Sequence, residues 1–266
     1  MAPELARQLC LIRGGGDLAT GVAWRLNRAG FPVVVTELAA PLAVRRTVAL
    51  STAIDDGSID IEGMIGKRVA SLDEAIAVTS AGEVAVIVSP ELPPIGASVV
   101  VDARLAKRNI DTTVEDAGLV IGLGPGFNAG EDCHVVIETM RGPRLGRAIW
   151  HGTPAADTGI PDQVQGRGAE RVLRAPARGE LVWSKTIGDR VGDGDELGSV
   201  GGQVIVAPFD GLIRGLIRTS QSVELGDKVG DVDPRAGASY LEISDKALAI
   251  GGGVVEAVLT WQMRSN

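Results

Sequence analysis

LCLIRGGGDLATGVAWRLNRAGFPVVVTE, residues 9–37, is the stretch on which the reading of the fold turns. LCLIR (9–13) is a short apolar run, and GGGDLATG (14–21) interrupts it with three successive glycines. VAWRLNRAG (22–30) spaces its apolar residues at helical intervals and stops at Gly30, a residue type that closes helices because it takes left-handed backbone cheaply. FPVVVTE (31–37) is β-branched and apolar, as a buried strand requires. Strand, glycine turn, helix and strand inside residues 9–37 predict the opening of a doubly wound parallel sheet, a Rossmann-like domain.

The following segments extend that pattern. SLDEAIAVTSAG (71–82) predicts a helix with Ser71 as N-cap and Glu74 completing a capping box. EVAVIVSPE (83–91) and SVVVDARL (98–105) predict strands, whereas 58–70 is broken by Gly63 and Gly66. A second glycine loop, GLGPGFNAG (122–130), follows an apolar strand, and EDCHVVIETMRG (131–142) supplies a polar start and another strand. Residues 254–261 predict a closing helix, begun at the glycine cluster 251–253 and packed back on the sheet. Aromatic residues are only 3 % of the chain, so Val, Ile, Leu and Ala must fill its core.

Gly14, Gly16 and Ala19 satisfy G-x-G-x-x-G/A, with Gly15 between the first two. Such spacing gives a tight turn, close approach of a phosphate and a small residue where helix meets strand. Glu37, at the end of the second strand, stands where a ribose-binding carboxylate would sit, and Thr20 adds a hydroxyl near the helix start. Asp17 opposes a phosphate there and favours a cap of the helix itself, so a tight turn without ligand is the competing reading. Arg45 and Arg46 form a candidate phosphate clamp, with ordinary solvent-facing charge as the alternative. Backbone N–H groups around Gly124 and Gly126, together with the Asn128 amide, form a second candidate anion cradle. The two turns are expected to open onto one crevice at the carboxyl ends of the strands.

Cys133 and His134 are neighbours and so face opposite sides of a strand, which argues against a shared metal. Cys133 is a packed thiol or, less simply, a nucleophile; His151, Asp157 and Thr158 lie in a turn-rich segment suited to a ligand-facing loop. With two histidines and two dispersed cysteines, no metal centre is expected. No G-x-S-x-G elbow, H-E-x-x-H or Walker motif is present.

The charge of -8 disfavours a nucleic-acid partner. No run of 18 apolar residues suggests a membrane span, and MAPELARQLCLIRGGG lacks the pattern of a signal peptide. Two cysteines cannot build a disulfide framework, so a cytoplasmic location is expected.

VLRAPARGELVWSKTIGDRVGDGDELGSV (172–200) aligns with VIVAPFDGLIRGLIRTSQSVELGDKVGDV (204–232) at an offset of 32, with 9 of 29 positions identical. A-P-x-x-G and V-x-x-G-D turns recur in phase, and neither half alone can bury a face. The repeat resembles the biotinyl/lipoyl-type barrel-sandwich hybrid. Gly201, Gly202 and Gln203 stand where that family carries its modified lysine, so covalent biotin or lipoate is not expected. This reading divides the chain into a domain at 1–168, completed by 236–266, and an inserted all-β domain at 169–235.

Taken together, GGGDLATG (14–21), PLAVRRTV (41–48), GLGPGF (122–127), TGIP (158–161), GDKVGDVDPR (226–235) and ISDKALAIGGGVVEA (243–257) resemble the YqeB-type accessory proteins of selenium-dependent molybdenum hydroxylase systems. The resemblance implies a distant relation to the XdhC/CoxI maturation factors and a role in maturing or delivering molybdopterin or its dinucleotide form to a molybdenum hydroxylase-type enzyme. It carries over Gly14, Gly15, Gly16, Asp17, Thr20, Arg45, Arg46, Gly124, Gly126, Asp157 and Thr158. An NAD-dependent oxidoreductase and a non-catalytic interaction module are the alternatives. Whether the chain catalyses a reaction stays open at this point, and further copies of the chain are a second candidate partner.

Overall fold

The computed structural model describes residues 8–159 and 163–265. Residues 1–7, where a leader was sought, and Ile160 and Pro161 of the TGIP stretch lie outside the described residues. The chain divides into two compact units. The first comprises Met1–Pro41, Ala49–Asp157 and Ile243–Asn266; the second comprises Leu42–Val48 and Thr158–Glu242.

The first unit is built on β1 (Cys10–Arg13), β2 (Val33–Glu37), β3 (Ser58–Ile61), β4 (Met64–Val69), β5 (Val84–Val88), β6 (Val99–Asp102), β7 (Leu119–Leu123), β8 (Val135–Ile137) and β9 (Ala148–Ile149). They form one nine-stranded sheet in the order β3-β4-β5-β2-β1-β6-β7-β8-β9. From β4 to β8 every pairing is parallel. β1 is central, with Cys10 in register with Val33 on one side and Val99 on the other. Its four residues are all buried, which explains why the strand is apolar up to its last position.

Expectation and structure part in several places. The sheet is mixed, not the parallel sheet expected, because β3 and β9 run antiparallel at its two edges. Glu62 and Gly63, both at positive φ, make the two-residue turn that joins β3 to β4, so the supposed break at 58–70 is a hairpin. Helices are few: α1 (Asp17–Arg28), α2 (Thr52–Asp56), α3 (Leu72–Ser80) and α4 (Asp245–Ser265). The connections β5–β6, β6–β7 and β7–β8 carry no α-helix. In the first of these, Pro90, Pro93 and Pro94 remove amide donors that a helix would need.

α1 starts at Asp17, one turn before the predicted Val22, and α4 runs straight through Gly251–Gly253. A Cβ on Gly21 would stand 2.5 Å from the Ala247 carbonyl oxygen, and one on Gly251 would collide with the Gly21 carbonyl oxygen. Gly251 therefore marks close backbone approach to α1, not a helix boundary.

In the second unit the repeat yields eight strands: β10 (Val172–Arg174), β11 (Gly179–Trp183), β12 (Arg190–Val191), β13 (Glu196–Val200), β14 (Gln203–Val206), β15 (Gly211–Leu216), β16 (Ser222–Val223) and β17 (Lys228–Asp233). They form two four-stranded antiparallel sheets, β10-β17-β15-β12 and β14-β13-β11-β16. The barrel-sandwich hybrid of biotinyl/lipoyl type is not evident in this arrangement, and that expectation is corrected to two separate sheets. The offset of 32 carries β10–β13 onto β14–β17, so each sheet takes two strands from each half. Their common core pairs equivalent residues: Leu181 with Ile213, Leu197 with Val229 and Val200 with Val232, all fully buried. Asp195 and Asp227 close the equivalent turns by accepting from Gly192 N–H (2.8 Å) and Glu224 N–H (2.9 Å).

Candidate functional site

The sheet changes winding direction at β1, which has β2 on one side and β6 on the other. Ligands of open α/β sheets bind outside the carboxyl ends of the strands at such a point. Gly14–Gly16 leave the carboxyl end of β1 there and lead into α1.

The three glycines do different work. Gly14, at φ +92, lies under the next connection: a Cβ there would be 3.2 Å from the Ala103 carbonyl oxygen. A Cβ on Gly15 would lie 2.9 Å from the Ser51 nitrogen. Gly16 has φ -67, and a Cβ on it would meet nothing within 4 Å. It is the N-cap of α1, with no side-chain cap bond. First-turn N–H groups have no acceptor inside a helix, so this end of α1 carries partial positive charge towards open space.

Glu37 faces the turn. Its Oε2 accepts from Gly15 N–H (2.7 Å) and its Oε1 from Leu38 N–H (2.7 Å). Thr20 is wholly buried; its hydroxyl donates to the Gly16 carbonyl (2.9 Å) and accepts from Leu50 N–H (3.0 Å). Ser51 N–H donates to the Gly15 carbonyl (2.9 Å). The Ser51 hydroxyl is buried beside this turn and makes no hydrogen bond.

Gly124 stands at the same end of the sheet, after β7. The interval between the two turns is filled by the segment following β6, since a Cβ on Gly126 would lie 2.5 Å from Arg108 Cα. The expected open crevice is thus crossed by a strap, residues 103–112, in which Leu105 and Lys107 both hold positive φ. The strap is tied down by charges that the sequence reading missed. Arg13 donates to both carboxylate oxygens of Asp111 (2.8 and 3.0 Å) and to the Thr112 hydroxyl (3.1 Å). Arg104 bridges Asp102 (2.5 Å) and Asp111 (2.7 Å), and Thr112 donates to Asp102 (2.7 Å). Hydrogen bonds from Arg13, then Arg104, hold the Asp111 carboxyl down to about 2. The available signal was a charge at the end of each of two apolar strands, Arg13 and Asp102.

The other predicted residues are dispersed. Arg45 donates to the Glu242 carbonyl (3.0 Å) and Arg46 to the Leu216 carbonyl (2.7 Å), both within the second unit, so these donors fasten that unit's backbone. Asn128 uses its main-chain N–H on Asp132 (2.8 Å). Cys133 and His134 precede β8 and so lie at the opposite end of the sheet from Gly16 and Gly124. Burial pushes the Cys133 thiol up to about 11, and His134 Nδ1 accepts from Val120 N–H (3.0 Å). His151 is exposed; Asp157 pairs with strap Lys107 (2.7 Å), and Thr158 begins the second unit's long segment. Among the described residues, no three His, Cys, Asp or Glu side chains are grouped to hold a metal, and no helix is long and apolar enough to cross a membrane.

No family model matches the chain. It is 44 % identical over 259 residues, 95 % of its length, to "Uncharacterized protein YqeB" of Escherichia coli K12, and it spans 47 % of that protein. Solved structures with some likeness include an aspartoacylase family protein from Mesorhizobium loti (16 % identity, 86 % of each chain, TM-score 0.30). A second is the product-bound ectoine utilization protein EutE (DoeB) from Ruegeria pomeroyi (14 % identity, 85 % of this chain, 57 % of that one, TM-score 0.24). A third is a succinylglutamate desuccinylase/aspartoacylase from Rhodobacter sphaeroides (19 % identity, 30 % of this chain, 28 % of that one, TM-score 0.22). Likeness this slight carries no argument about the chain's fold or chemistry. The name of the YqeB relative brings in neither molybdenum, selenium nor a dinucleotide, and the accessory role in molybdenum hydroxylase maturation is corrected accordingly: the similarity to YqeB stands without it.

Proposed function

We propose that the first unit is a receptor for a small ligand bearing a phosphate or carboxylate group, seated at the amino-terminal end of α1. The observation that carries this reading is the contrast among the three glycines: Gly14 and Gly15 are crowded by protein, whereas the Gly16 Cα faces open space at a helix end whose N-cap residue makes no side-chain cap bond. The buried Ser51 hydroxyl beside the turn supports it, as a polar group still to be satisfied. Helix N-termini stabilise anions through aligned N–H groups and the helix dipole. The turn also stands at the switch point of the sheet.

Titration calorimetry with inorganic phosphate, AMP, NAD and a molybdopterin dinucleotide tests the reading and separates the ligand classes. At least one probe binds, and Gly16→Asp weakens it roughly tenfold or more by setting a carboxylate where the anion sits. Thermal unfolding of Gly16→Asp stays close to wild type, because φ -67 suits any L-residue and the new Cβ meets nothing within 4 Å. Absence of heat with every probe, or equal affinity in the variant, defeats the proposal.

A further inference from the structure

β14 lies at the edge of the sheet β14-β13-β11-β16. Gly201 and Gly202, at φ +55 and +82, make a two-residue turn that fixes its pairing with β13: Val200 opposite Gln203, Ser199 opposite Val204, Gly198 opposite Ile205 and Glu196 opposite Val206. In a hairpin with this turn, the pair flanking the loop exchanges both main-chain hydrogen bonds and the next pair exchanges none. Ala207 N–H donates to the Asp195 carbonyl (2.8 Å), which keeps that alternation in step beyond the bulge. The N–H and C=O groups of Val204 and Val206 therefore point away from the sheet.

Their side chains are open as well. Val204 is 51 % exposed, Val206 49 % and Val182 of β11 53 %. Val182 is opposite Ser199, which is opposite Val204, so exposed valines lie on either side of a serine on this face and one of them stands at the edge; Glu196 of β13 is opposite Val206. Natural edge strands are usually protected by charge, proline or coverage. Here 201–208, GGQVIVAP, holds no charge in a chain of net charge -8, and its proline comes after β14 ends.

We infer that β14 is the seat of a homodimer, in which two copies of this chain pair antiparallel about Ile205. That register sets Val204 against Val206 of the partner subunit and satisfies the outward groups of both valines in each copy. It joins two four-stranded sheets into one of eight strands. Two acidic chains repel one another over most of their surface, and an uncharged, self-complementary edge is where that repulsion is least. The contact is small, so the dimer is weak and concentration-dependent.

Sedimentation velocity from about 1 to about 300 μM covers the range where a weak dimer assembles. The expected result is a doubling of weight-average mass across the series, abolished by Val204→Lys with Val206→Lys. Both lysines project from half-exposed positions, and circular dichroism confirms that this variant is folded. A register test is independent of affinity. Under mild air oxidation the double variant Val204→Cys/Val206→Cys forms a covalent dimer, while each single variant does not, because each valine faces the other's position across the axis. The native Cys10 and Cys133 are buried and stay out of the reaction. A wild type that remains monomeric at the highest concentration, a lysine variant that dimerises equally well, or single cysteine variants that cross-link as fast as the double overturns the inference.

Discussion

Arg13 is 2 % exposed at the end of a strand whose other residues are apolar, and its guanidinium is met there by Asp111 and Thr112. Removing the carboxylate leaves the buried guanidinium with the Thr112 hydroxyl in place of a charged partner, so Asp111→Ala should cost roughly 2 kcal/mol at pH 7 in urea denaturation. The same contact has a pH signature. Asp111 titrates at about 2 in the folded chain, against about 3.9 for a free aspartate. A depressed carboxyl stabilises the fold fully above the unfolded value, and that contribution is lost as pH falls from about 4 towards about 2. Urea midpoints for wild type and Asp111→Asn should therefore converge across that window and stay parallel above pH 5; equal separation down to pH 2 would refute the assignment. The sequence displayed the charge at the strand end. It could not display the partner, which lies 98 positions away on a strap with no periodicity to betray it.

At the scale of elements, legibility followed local chemistry. α3 was readable because its signals lie inside the helix and its cap: the Ser71 hydroxyl accepts from Glu74 N–H (3.2 Å), and Glu74 reaches back to Ala70 N–H (2.7 Å). α4 was misread because glycine ordinarily punctuates helices, and only the neighbouring backbone reveals why it is tolerated there. Adjacent glycines of α4 should consequently respond in opposite directions. A methyl on Gly251 strikes the Gly21 carbonyl and comes within 2.9 Å of Arg25 Cγ, so Gly251→Ala should force α1 and α4 apart, at a cost of about 1–3 kcal/mol. Gly252 has nothing within 4 Å of such a methyl. Gly252→Ala should stabilise by about 0.8 kcal/mol, the helix-propensity difference alone. Guanidinium denaturation of the two variants decides the matter, and destabilisation by both would mean that the helix is held by something other than close packing at Gly251.

At the scale of the whole molecule, the repeat was legible because its signals are turn residues at fixed offsets, and Pro176/Pro208, Gly194/Gly226 and Asp195/Asp227 recur at 32. What the offset leaves unsaid is how the strands are shared between sheets and that Leu42–Val48, far upstream, belongs to the same unit. That segment is fastened by contacts with no local signature: Arg45 to the Glu242 carbonyl, Arg46 to the Leu216 carbonyl, and Thr47 to the Tyr240 carbonyl. Its fit depends on Gly215 of β15, where a Cβ would come within 2.7 Å of the Val44 carbonyl oxygen and 2.8 Å of Val44 Cγ1. A side chain at 215 cannot be accommodated by a small rotation, because the nearest obstacle is backbone. Gly215→Val should therefore displace Leu42–Val48 and deprive the second unit's core of Val44, which packs against it. The loss should be confined to the unit that uses the contact, since local opening follows cooperative structural units. In hydrogen-exchange mass spectrometry, amides of 42–48 and of β15 and β17 should exchange at least tenfold faster in Gly215→Val, while β1, β2, β6 and β7 keep wild-type protection. Uniform acceleration across both units would show that they open together, and unchanged protection of 42–48 would show that Val44 holds its place without Gly215.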